Sequence, residues 1–326
     1  MIIGSVIYRK RKLKEKLEGR VVKALSGFFT VETTAGPIIA QIPGRLKQQR
    51  RETDIVAAGD WVTISRNKDG TGTIEEVAER QTVLSRSRPA GSHRQLQQDR
   101  EQVLVANPDQ LVFVFSIKHP TPNVRKLDRY LVLAEMNKLP AIICVNKIDL
   151  VAQAKAEALF NIYQEIGYDV VYTSAKTGVG IEQMRHLLRG KLSVLTGSSG
   201  VGKSSLLNAL QPELGLKIGQ VSGTTGKGLH TTRSTELFPL VDGGYVADTP
   251  GIRGLALFDI ESWELDAYFR EIAPLVPACQ FSDCSHRHEP NCAVRAAVEA
   301  GTVSAARYDS YLRLREEHEL LDEAMY

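Results

Sequence analysis

The pattern of apolar and polar positions changes character near residue 100. Before it, short segments rich in Val, Ile, Thr and aromatic residues alternate or run apolar, and Gly, Pro and an Asn-Lys-Asp-Gly sequence separate them. The predicted strands are residues 20–24, 28–33, 37–42, 60–65 and 73–84. Five short strands within about 70 residues predict a small β-barrel and favour an OB-fold.

The large aromatic residues of this barrel have two interpretations. Such barrels often bind RNA through a basic face that carries aromatic side chains for base stacking. A barrel this small, however, needs its large side chains inside. We therefore expect core packing rather than stacking from Phe28, Phe29 and Trp61.

After residue 110, strands and helices alternate. The predicted strands are residues 110–117, 141–145, 169–173, 191–196, 235–239 and 245–247, and the predicted helices are residues 124–137, 153–166, 181–188 and 204–210. This rhythm predicts an α/β fold with a doubly wound, mostly parallel sheet of about six strands. Ligands of such sheets lie at the carboxyl ends of the strands. Residues 86–101 are polar and basic, and they are expected to form a linker.

One octapeptide lies between the predicted strand 191–196 and the predicted helix 204–210. It matches the phosphate-binding pattern G-x-x-x-x-G-K-[ST] at every fixed position. In such a loop, backbone N–H groups surround the β-phosphate, the lysine reaches the β/γ oxygens, and the final hydroxyl ligates Mg²⁺. Lys203 and Ser204 are therefore also predicted to be catalytic. The predicted nucleotide contacts are Gly197, Ser198, Ser199, Gly200, Val201, Gly202, Lys203, Ser204 and Ser205.

Two motifs at predicted strand ends select the base. Residues 146–149 have the form N-K-x-D, in which the Asp149 carboxylate accepts hydrogen bonds from guanine N1 and N2 while Asn146 addresses the O6/N7 edge. Adenine presents the opposite pattern, so guanine is preferred. Residues 174–176 end the next strand, and a backbone N–H there is placed to donate to O6. The predicted base-binding residues are Asn146, Lys147, Asp149, Ser174, Ala175 and Lys176.

The γ-phosphate is expected to act through two segments. Asp248 and Gly251 fit the form D-x-x-G, which places the carboxylate to hold Mg²⁺ through water and the Gly251 N–H near the γ-phosphate. Residues 215–233 are rich in Gly and Thr without periodicity, as expected of a segment ordered by γ-phosphate and metal. The predicted catalytic residues there are a metal ligand, Thr231 or Thr232, and His230, which either completes the hydrolytic site or only orders the loop.

The position after the D-x-x-G motif carries no group that can orient water. It is Ile252, where switch GTPases usually have a glutamine. The free protein is therefore expected to hydrolyse nucleotide slowly, and a partner or another group must complete the site.

The order of the motifs is unusual. In ordinary guanine-nucleotide switch proteins the phosphate loop comes first and the base-reading motifs last, whereas both base-reading motifs precede the phosphate loop here. The sequence therefore predicts a circularly permuted G domain, joined at residues 190–191. Residues 248–253 then lead directly into the C-terminal domain, so GTP is expected to change the orientation of that domain.

A second strong motif lies near the C-terminus. Three of the four cysteines and a histidine have the spacing C-x4-C-x-H-x5-C. In a reducing compartment this pattern predicts a closed, tetrahedral and therefore structural zinc site rather than a disulfide or free buried thiols. The predicted ligands are Cys279, Cys284, His286 and Cys292, with His288 as an alternative imidazole. Residues 293–300 and 304–324 are predicted helices that pack on this loop.

Charge and hydropathy bear on the class of partner and on the cellular location. The 326 residues carry 41 basic and 38 acidic side chains, a net charge of +3 that does not by itself demand nucleic acid. Basic residues concentrate at 9–16, 45–51 and 86–100, which indicates either an anion-seeking face or solvated loops. Because no apolar run approaches the length of a membrane span or a signal peptide core, we expect a cytoplasmic protein.

An OB-type barrel, a permuted G domain and a Cys-Cys-His-Cys cluster in this order resemble the bacterial ribosome small-subunit-dependent GTPase A (RsgA) family over about residues 18–320. The resemblance implies a GTPase that acts late in assembly of the small ribosomal subunit. It implies binding to the subunit and its rRNA through the barrel and zinc domains, and faster hydrolysis of GTP to GDP and phosphate when bound.

The resemblance also implies a cytoplasmic monomer that uses GTP or GDP, Mg²⁺ and one structural Zn²⁺ per chain. The expected domains are a basic arm (1–17), an OB-fold barrel (18–87), a permuted G domain (88–255) and a helical zinc-binding domain (256–326), with the role of the arm left open. The rival hypothesis is an assembly factor in which GTP is only a structural latch. An ATPase is disfavoured by Asn146 and Asp149.

Overall fold

The computed structural model describes residues 15–44, 54–87, 101–216, 235–248 and 260–325. Its N-terminal part is a five-stranded barrel of β1 (Lys16–Leu25), β2 (Phe28–Thr33), β3 (Gly36–Gln41), β4 (Trp61–Arg66) and β5 (Gly72–Val77). The strand order is β1-β2-β3-β5-β4, and β1 also pairs with β4, which closes the barrel. Among the described strands of the barrel, β3 and β5 are the one parallel pair. The predicted OB-type barrel is confirmed.

The aromatic residues of the barrel divide between its inside and outside. Phe29 is 6% exposed and belongs to the barrel core, as predicted. For Phe28 and Trp61 the expectation of core packing is wrong, since they are 51% and 50% exposed. The two-residue alternation of a strand explains Phe28, because burying Phe29 turns its neighbour outward. Trp61 lies beneath the Arg20 guanidinium, whose Cζ is 5.3 Å from the ring centroid.

A second, smaller sheet follows the barrel. Strands β6 (Val83–Ser87) and β7 (Glu101–Ala106) form a separate antiparallel two-stranded sheet. Strand β7 was not predicted from the sequence, and its first residue, Glu101, lies in the segment expected to be a linker. The backbone N–H of Ala106 donates to the carbonyl of Ala58 at 2.8 Å, so this pair packs against the barrel.

The central unit is a six-stranded sheet. Its strands are β8 (Gln110–Ser116), β9 (Ala141–Asn146), β10 (Asp169–Tyr172), β11 (Leu192–Thr196), β12 (Glu236–Pro239) and β13 (Tyr245–Asp248). Their order is β10-β9-β8-β11-β13-β12, and only β12 runs antiparallel to its neighbour within this unit. The predicted mostly parallel sheet is confirmed, and β8, β9 and β11 are buried along their whole length.

Helices cover both faces of this sheet. Helices α1 (Val124–Met136) and α2 (Gln153–Glu165) pack on one face, and α3 (Ile181–Leu188) and α4 (Lys203–Leu210) pack on the other. α3 passes into β11 through a short joint in which the Gly190 N–H donates to the Gly243 carbonyl at 2.9 Å. This is the joint at which the sequence predicted the permutation.

The C-terminal part consists of two 3₁₀ helices, Ser262–Tyr268 and Ala273–Ala278, and of α5 (Ala293–Glu299) and α6 (Ala305–Met325). Its described residues do not form a separate core. Its buried residues join those of α1 and α2 in one continuous hydrophobic cluster. The C-terminal domain is therefore packed firmly on the α1 face of the sheet.

A buried ionic network reinforces this contact. Asp128 on α1 and Arg307 on α6 are each 2% exposed, and Arg307 Nη1 donates to Asp128 Oδ1 at 2.6 Å. Arg307 Nε also donates to Glu271 Oε1 at 2.6 Å, and Tyr163 Oη donates to Asp128 Oδ1 at 2.8 Å. Burial opposes the charge of Arg307, but the bonds to Glu271 and Asp128 raise its pKa above the ordinary value.

The barrel joins the central sheet through β1 and β12. Lys23 and Glu236 are paired residues of these two strands, and Lys23 Nζ lies 3.0 Å from Glu236 Oε2. Beside this pair, the Arg20 guanidinium lies between Trp61 and Tyr245 of β13, at 5.3 and 5.5 Å from the ring centroids. The barrel is thus hydrogen-bonded to the strand that lies between residues 217–234 and Asp248. Within the described residues, no helix is both long enough and apolar enough to cross a membrane.

Candidate functional site

The octapeptide loop lies where the phosphate-binding pattern requires it. It leaves the carboxyl end of β11 and leads into α4, which begins at Lys203. Gly200 and Gly202 have φ values of +80° and +95°, which glycine adopts readily. A Cβ on Gly202 would lie 2.5 Å from Asn146 Nδ2, so any side chain at this position would displace the Asn146 amide.

The lysine of the loop is held inside it. Lys203 is buried, and its Nζ donates to the carbonyl oxygens of Gly197 at 2.9 Å and Ser198 at 3.1 Å. These two bonds hold the ammonium within the loop, close to the N-terminus of α4. An ammonium and a helix N-terminus together form a favourable site for an anionic phosphate.

Asn146 connects the phosphate loop to the end of the neighbouring strand. Its Nδ2 donates to the Val201 carbonyl at 3.0 Å, and its Oδ1 accepts from the Ala175 N–H at 3.2 Å and the Thr173 hydroxyl at 3.3 Å. The side chain is buried. An amide nitrogen has two hydrogens, and the bond to Val201 uses one of them. Asn146 therefore fixes the position of the loop relative to residues 173–175, a role that sequence reasoning did not assign to it.

Asp149 and Ser174, which the sequence placed at two different strand ends, are in direct contact. Ser174 Oγ donates to Asp149 Oδ1 at 2.6 Å and accepts from the Thr177 N–H at 3.2 Å. Ser174 is buried, whereas Asp149 is exposed in the 3₁₀ helix Ile148–Leu150. A buried hydroxyl thus orients one carboxylate oxygen of an exposed aspartate.

Lys147 lies against the outer side of the phosphate loop. Its φ of +65° is in the left-handed region, and its Nζ donates to the carbonyl oxygens of His119 and Gly200. The N-K-x-D segment therefore holds the phosphate loop from two sides, through Asn146 and Lys147.

The residues predicted around the γ-phosphate are only partly described. Asp248 ends β13, paired with Leu195 of β11 in parallel register, so the strand end that carries it adjoins the phosphate loop. His230, Thr231, Thr232, Gly251 and Ile252 lie outside the described residues.

The Cys-Cys-His-Cys residues form a compact cluster. Their ligand atoms all lie within 4.8 Å of one another. Nδ1 of His286 is 3.4 Å from Cys292 Sγ and 3.6 Å from Cys279 Sγ, and these two sulfurs are 4.0 Å apart. A zinc tetrahedron with Zn–S of about 2.3 Å and Zn–N of about 2.0 Å has S···S edges of about 3.8 Å and S···N edges of about 3.5 Å. The cluster therefore fits a four-coordinate zinc ion.

Local structure affects two of the cysteines in this cluster. Cys292 is the N-cap of α5, and its Sγ accepts from the Arg295 N–H at 3.5 Å. Burial and the neighbouring thiols raise the pKa of the Cys284 thiol to about 12. A bound zinc ion would reverse this preference for the protonated thiol, because zinc deprotonates a coordinating thiol outright.

His286 rather than His288 supplies the imidazole of the cluster. His288 is exposed, and the cluster of described ligand atoms does not include it. The loop between the two is shaped by Glu289, whose carboxylate accepts from the backbone N–H groups of Ser285 at 2.7 Å and His288 at 3.1 Å. Burial opposes ionisation of Glu289, but these bonds and that from the Ser285 hydroxyl hold its pKa well below the usual range.

Comparisons with known proteins agree with this arrangement. A family model described as the RsgA N-terminal domain matches residues 18–74, and one described as the RsgA GTPase matches residues 77–258. The protein named small ribosomal subunit biogenesis GTPase RsgA of Gemmatimonas aurantiaca is 44% identical over 302 residues, which cover 92% of this chain and 96% of that protein. Its namesake in Chlorobaculum tepidum is 43% identical, with coverage of 93% and 98%.

Two solved structures are similar along nearly their whole length. The crystal structure of YjeQ from Thermotoga maritima has a TM-score of 0.75 at 36% identity and covers 93% of this chain and 99% of that one. The crystal structure of YloQ, described as a circularly permuted GTPase, has a TM-score of 0.72 at 34% identity, with coverage of 95% and 98%. The permuted order predicted from the motifs is thus confirmed.

Proposed function

The chain belongs to the RsgA GTPase family and is a GTP hydrolase, and we propose that it works in late assembly of the small ribosomal subunit, bound to that subunit and its rRNA. The names of its relatives supply the class of partner. We further propose that the protein acts as a cytoplasmic monomer, that the barrel and the C-terminal domain bind the subunit, and that binding stimulates hydrolysis.

The observation that carries the proposal is the contact among three separated motifs. Asp149 is oriented by Ser174, and Asn146 bonds both the phosphate loop and the Ala175 N–H. These contacts bring the Asp149 carboxylate, residues 174–176 and the phosphate loop together, which supports a single guanine-nucleotide site. Such an arrangement suits a guanine nucleotide and disfavours adenine, which presents the opposite hydrogen-bonding pattern.

The reaction needs metal and water as well as the nucleotide. Mg²⁺, when bound, would be held by Ser204, by Thr231 or Thr232 and through water by Asp248, and it neutralises charge on the β/γ oxygens. The Lys203 ammonium would place a second positive charge next to these oxygens. Because Ile252 cannot orient water, we propose that His230 or a group of the subunit completes the site.

We expect small ribosomal subunits to stimulate multiple-turnover GTP hydrolysis at least about tenfold, because completing the water-orienting site lowers the barrier to attack. Release of phosphate would be measured with purified small subunits, with large subunits as the control, and with Lys203→Ala as the inactive variant. Equal turnover with and without small subunits would favour the latch hypothesis, in which GTP occupancy matters and hydrolysis is incidental.

Nucleotide state is expected to change subunit affinity. The barrel is joined to β12, which connects the two γ-phosphate-sensing segments, and residues 248–253 lead into the C-terminal domain. We expect a non-hydrolysable GTP analogue to tighten subunit binding by about 5- to 150-fold relative to GDP. Co-sedimentation at fixed ionic strength measures this difference, since basic segments add a salt-dependent contribution that ignores nucleotide. Equal affinity in the two states would contradict the coupling.

The Cys-Cys-His-Cys cluster is proposed to hold one structural Zn²⁺. Three thiolates and one imidazole leave no open position, and zinc sites of this type contribute to folding rather than to catalysis. Metal analysis of the purified protein tests this proposal, which predicts one zinc per chain.

A further inference from the structure

The imidazole of the metal cluster has a second polar partner. Nδ1 of His286 faces the cysteine sulfurs, while Nε2 lies 3.1 Å from Oδ2 of Asp266. The imidazole is 0% exposed and the Asp266 side chain 13% exposed. When Nδ1 is a metal ligand, Nε2 must carry the proton, so the contact becomes an N–H donating to a carboxylate.

Asp266 reaches His286 from a different part of the chain. It belongs to the 3₁₀ helix Ser262–Tyr268, which is separate in sequence from the loop 279–292 that carries the cluster. The helix is the first described element after the D-x-x-G motif. A carboxylate from this element therefore reaches across to the buried edge of His286.

Residues of α6 contact the same histidine. His286 has a φ of +63°, and its carbonyl oxygen accepts from the Tyr308 hydroxyl. The Tyr311 ring packs near the imidazole with 5.9 Å between ring centroids, and the Tyr311 hydroxyl donates to the Ser285 carbonyl at 3.2 Å. These α6 contacts position the backbone of His286, whereas Asp266 contacts the ring nitrogen that sets its tautomer.

We propose that Asp266 is a positioning residue of the metal site: it holds His286 in the Nδ1-coordinating tautomer and links the metal to the element that follows the γ-phosphate-sensing segment. This inference rests on the proposed zinc site. A carboxylate on the remote N–H raises the basicity of the ligating nitrogen and restricts rotation of the ring. Loss of such a partner lowers metal affinity by about 10- to 100-fold.

The test compares Asp266→Ala and Asp266→Asn with Glu264→Gln in the full-length protein. Glu264 lies on the same 3₁₀ helix and is exposed, so its variant controls for a general charge effect. Zinc affinity would be measured by competition with a chromogenic chelator, and guanine-nucleotide binding would report the integrity of the G domain. Absorption spectra of the Co²⁺-substituted proteins would report the geometry of the ligands.

Asp266→Ala is expected to weaken zinc binding by about 10- to 100-fold and to alter the Co²⁺ spectrum. Asp266→Asn is expected to fall between the alanine variant and the wild type, because an amide oxygen still accepts from Nε2 but carries no charge. Glu264→Gln should match the wild type. If the alanine variant does not fold, the asparagine variant decides the matter alone.

Two outcomes separate the failure of this inference from that of the zinc site. Wild-type protein that binds one zinc, together with Asp266 variants of unchanged affinity and spectrum, would overturn the role of Asp266 and leave the site standing. Wild-type protein that binds no zinc would overturn the site itself. A loss of stability without a change in affinity or spectrum would assign Asp266 an ordinary structural role and would also overturn the proposal.

Discussion

Replacing Asp149 with asparagine is expected to shift nucleotide preference from GTP to XTP by a factor on the order of 10⁴. Ser174 Oγ donates to Asp149 Oδ1, and in the variant the amide oxygen takes over this bond. The amide NH₂ then occupies the place of Oδ2. It opposes the N2 amino group of guanine but can donate to the oxygen that xanthine carries there.

The measurement is competition between GTP and XTP for the nucleotide site. Asp169→Asn is the matched control, because Asp169 is an exposed aspartate at the opposite end of β10 from the strand end that leads to Ser174. Its preference should equal that of the wild type. An Asp149→Asn protein that still prefers GTP to XTP as the wild type does would remove Asp149 from the base-binding site.

Replacing Arg307 with methionine is expected to destabilise the folded protein by about 3–5 kcal/mol. The substitution leaves Asp128 and Glu271 buried without their cation, and the cost of an uncompensated buried charge exceeds the gain from an apolar side chain. The effect should reach α1 as well as the C-terminal domain, since both contribute to one hydrophobic cluster. Denaturant unfolding, followed by fluorescence and by nucleotide binding, would measure the loss of stability and show whether it reaches the G domain as well as the C-terminal domain.

Arg313→Met on the same helix is the control. Arg313 forms an exposed pair with Asp309, and because water screens such surface pairs, losing this one should change stability little. Adding Asp128→Asn to Arg307→Met should recover part of the loss, because the amide oxygen still accepts from Tyr163 without a charge. Equal unfolding midpoints for Arg307→Met and Arg313→Met would show that the buried network contributes no net stability.

The central sheet was accessible from sequence because its inner strands β8, β9 and β11 are apolar runs and its motifs have fixed spacing. The phosphate loop requires a strand before it and a helix after it, and this requirement placed β11 and α4 within a residue or two of their observed bounds. Each base-reading motif likewise marks the end of a strand. Local sequence sufficed wherever a chemical motif fixed the geometry.

Pairings between distant residues left no such local signal. Strand β7 begins with Glu101 and Gln102 and depends on pairing with β6, so it was not predicted and its first residue was assigned to a linker. The bond between Arg307 and Asp128 spans 179 residues, and that between Asp266 and His286 joins two different elements. The exposure of Phe28, by contrast, follows from the alternation in β2, which was visible in the sequence.

The pairing of β1 with β12 also bears on how the protein is made. Lys23 and Glu236 are 213 residues apart, whereas the pairings that close the barrel fall within residues 16–77. At translation rates of about 5–20 residues per second, roughly 10–40 s separate the synthesis of the two strands. The barrel is therefore complete while one stretch of its β1 edge still awaits its partner. A lysine at that edge discourages pairing with a strand of another nascent chain during the interval.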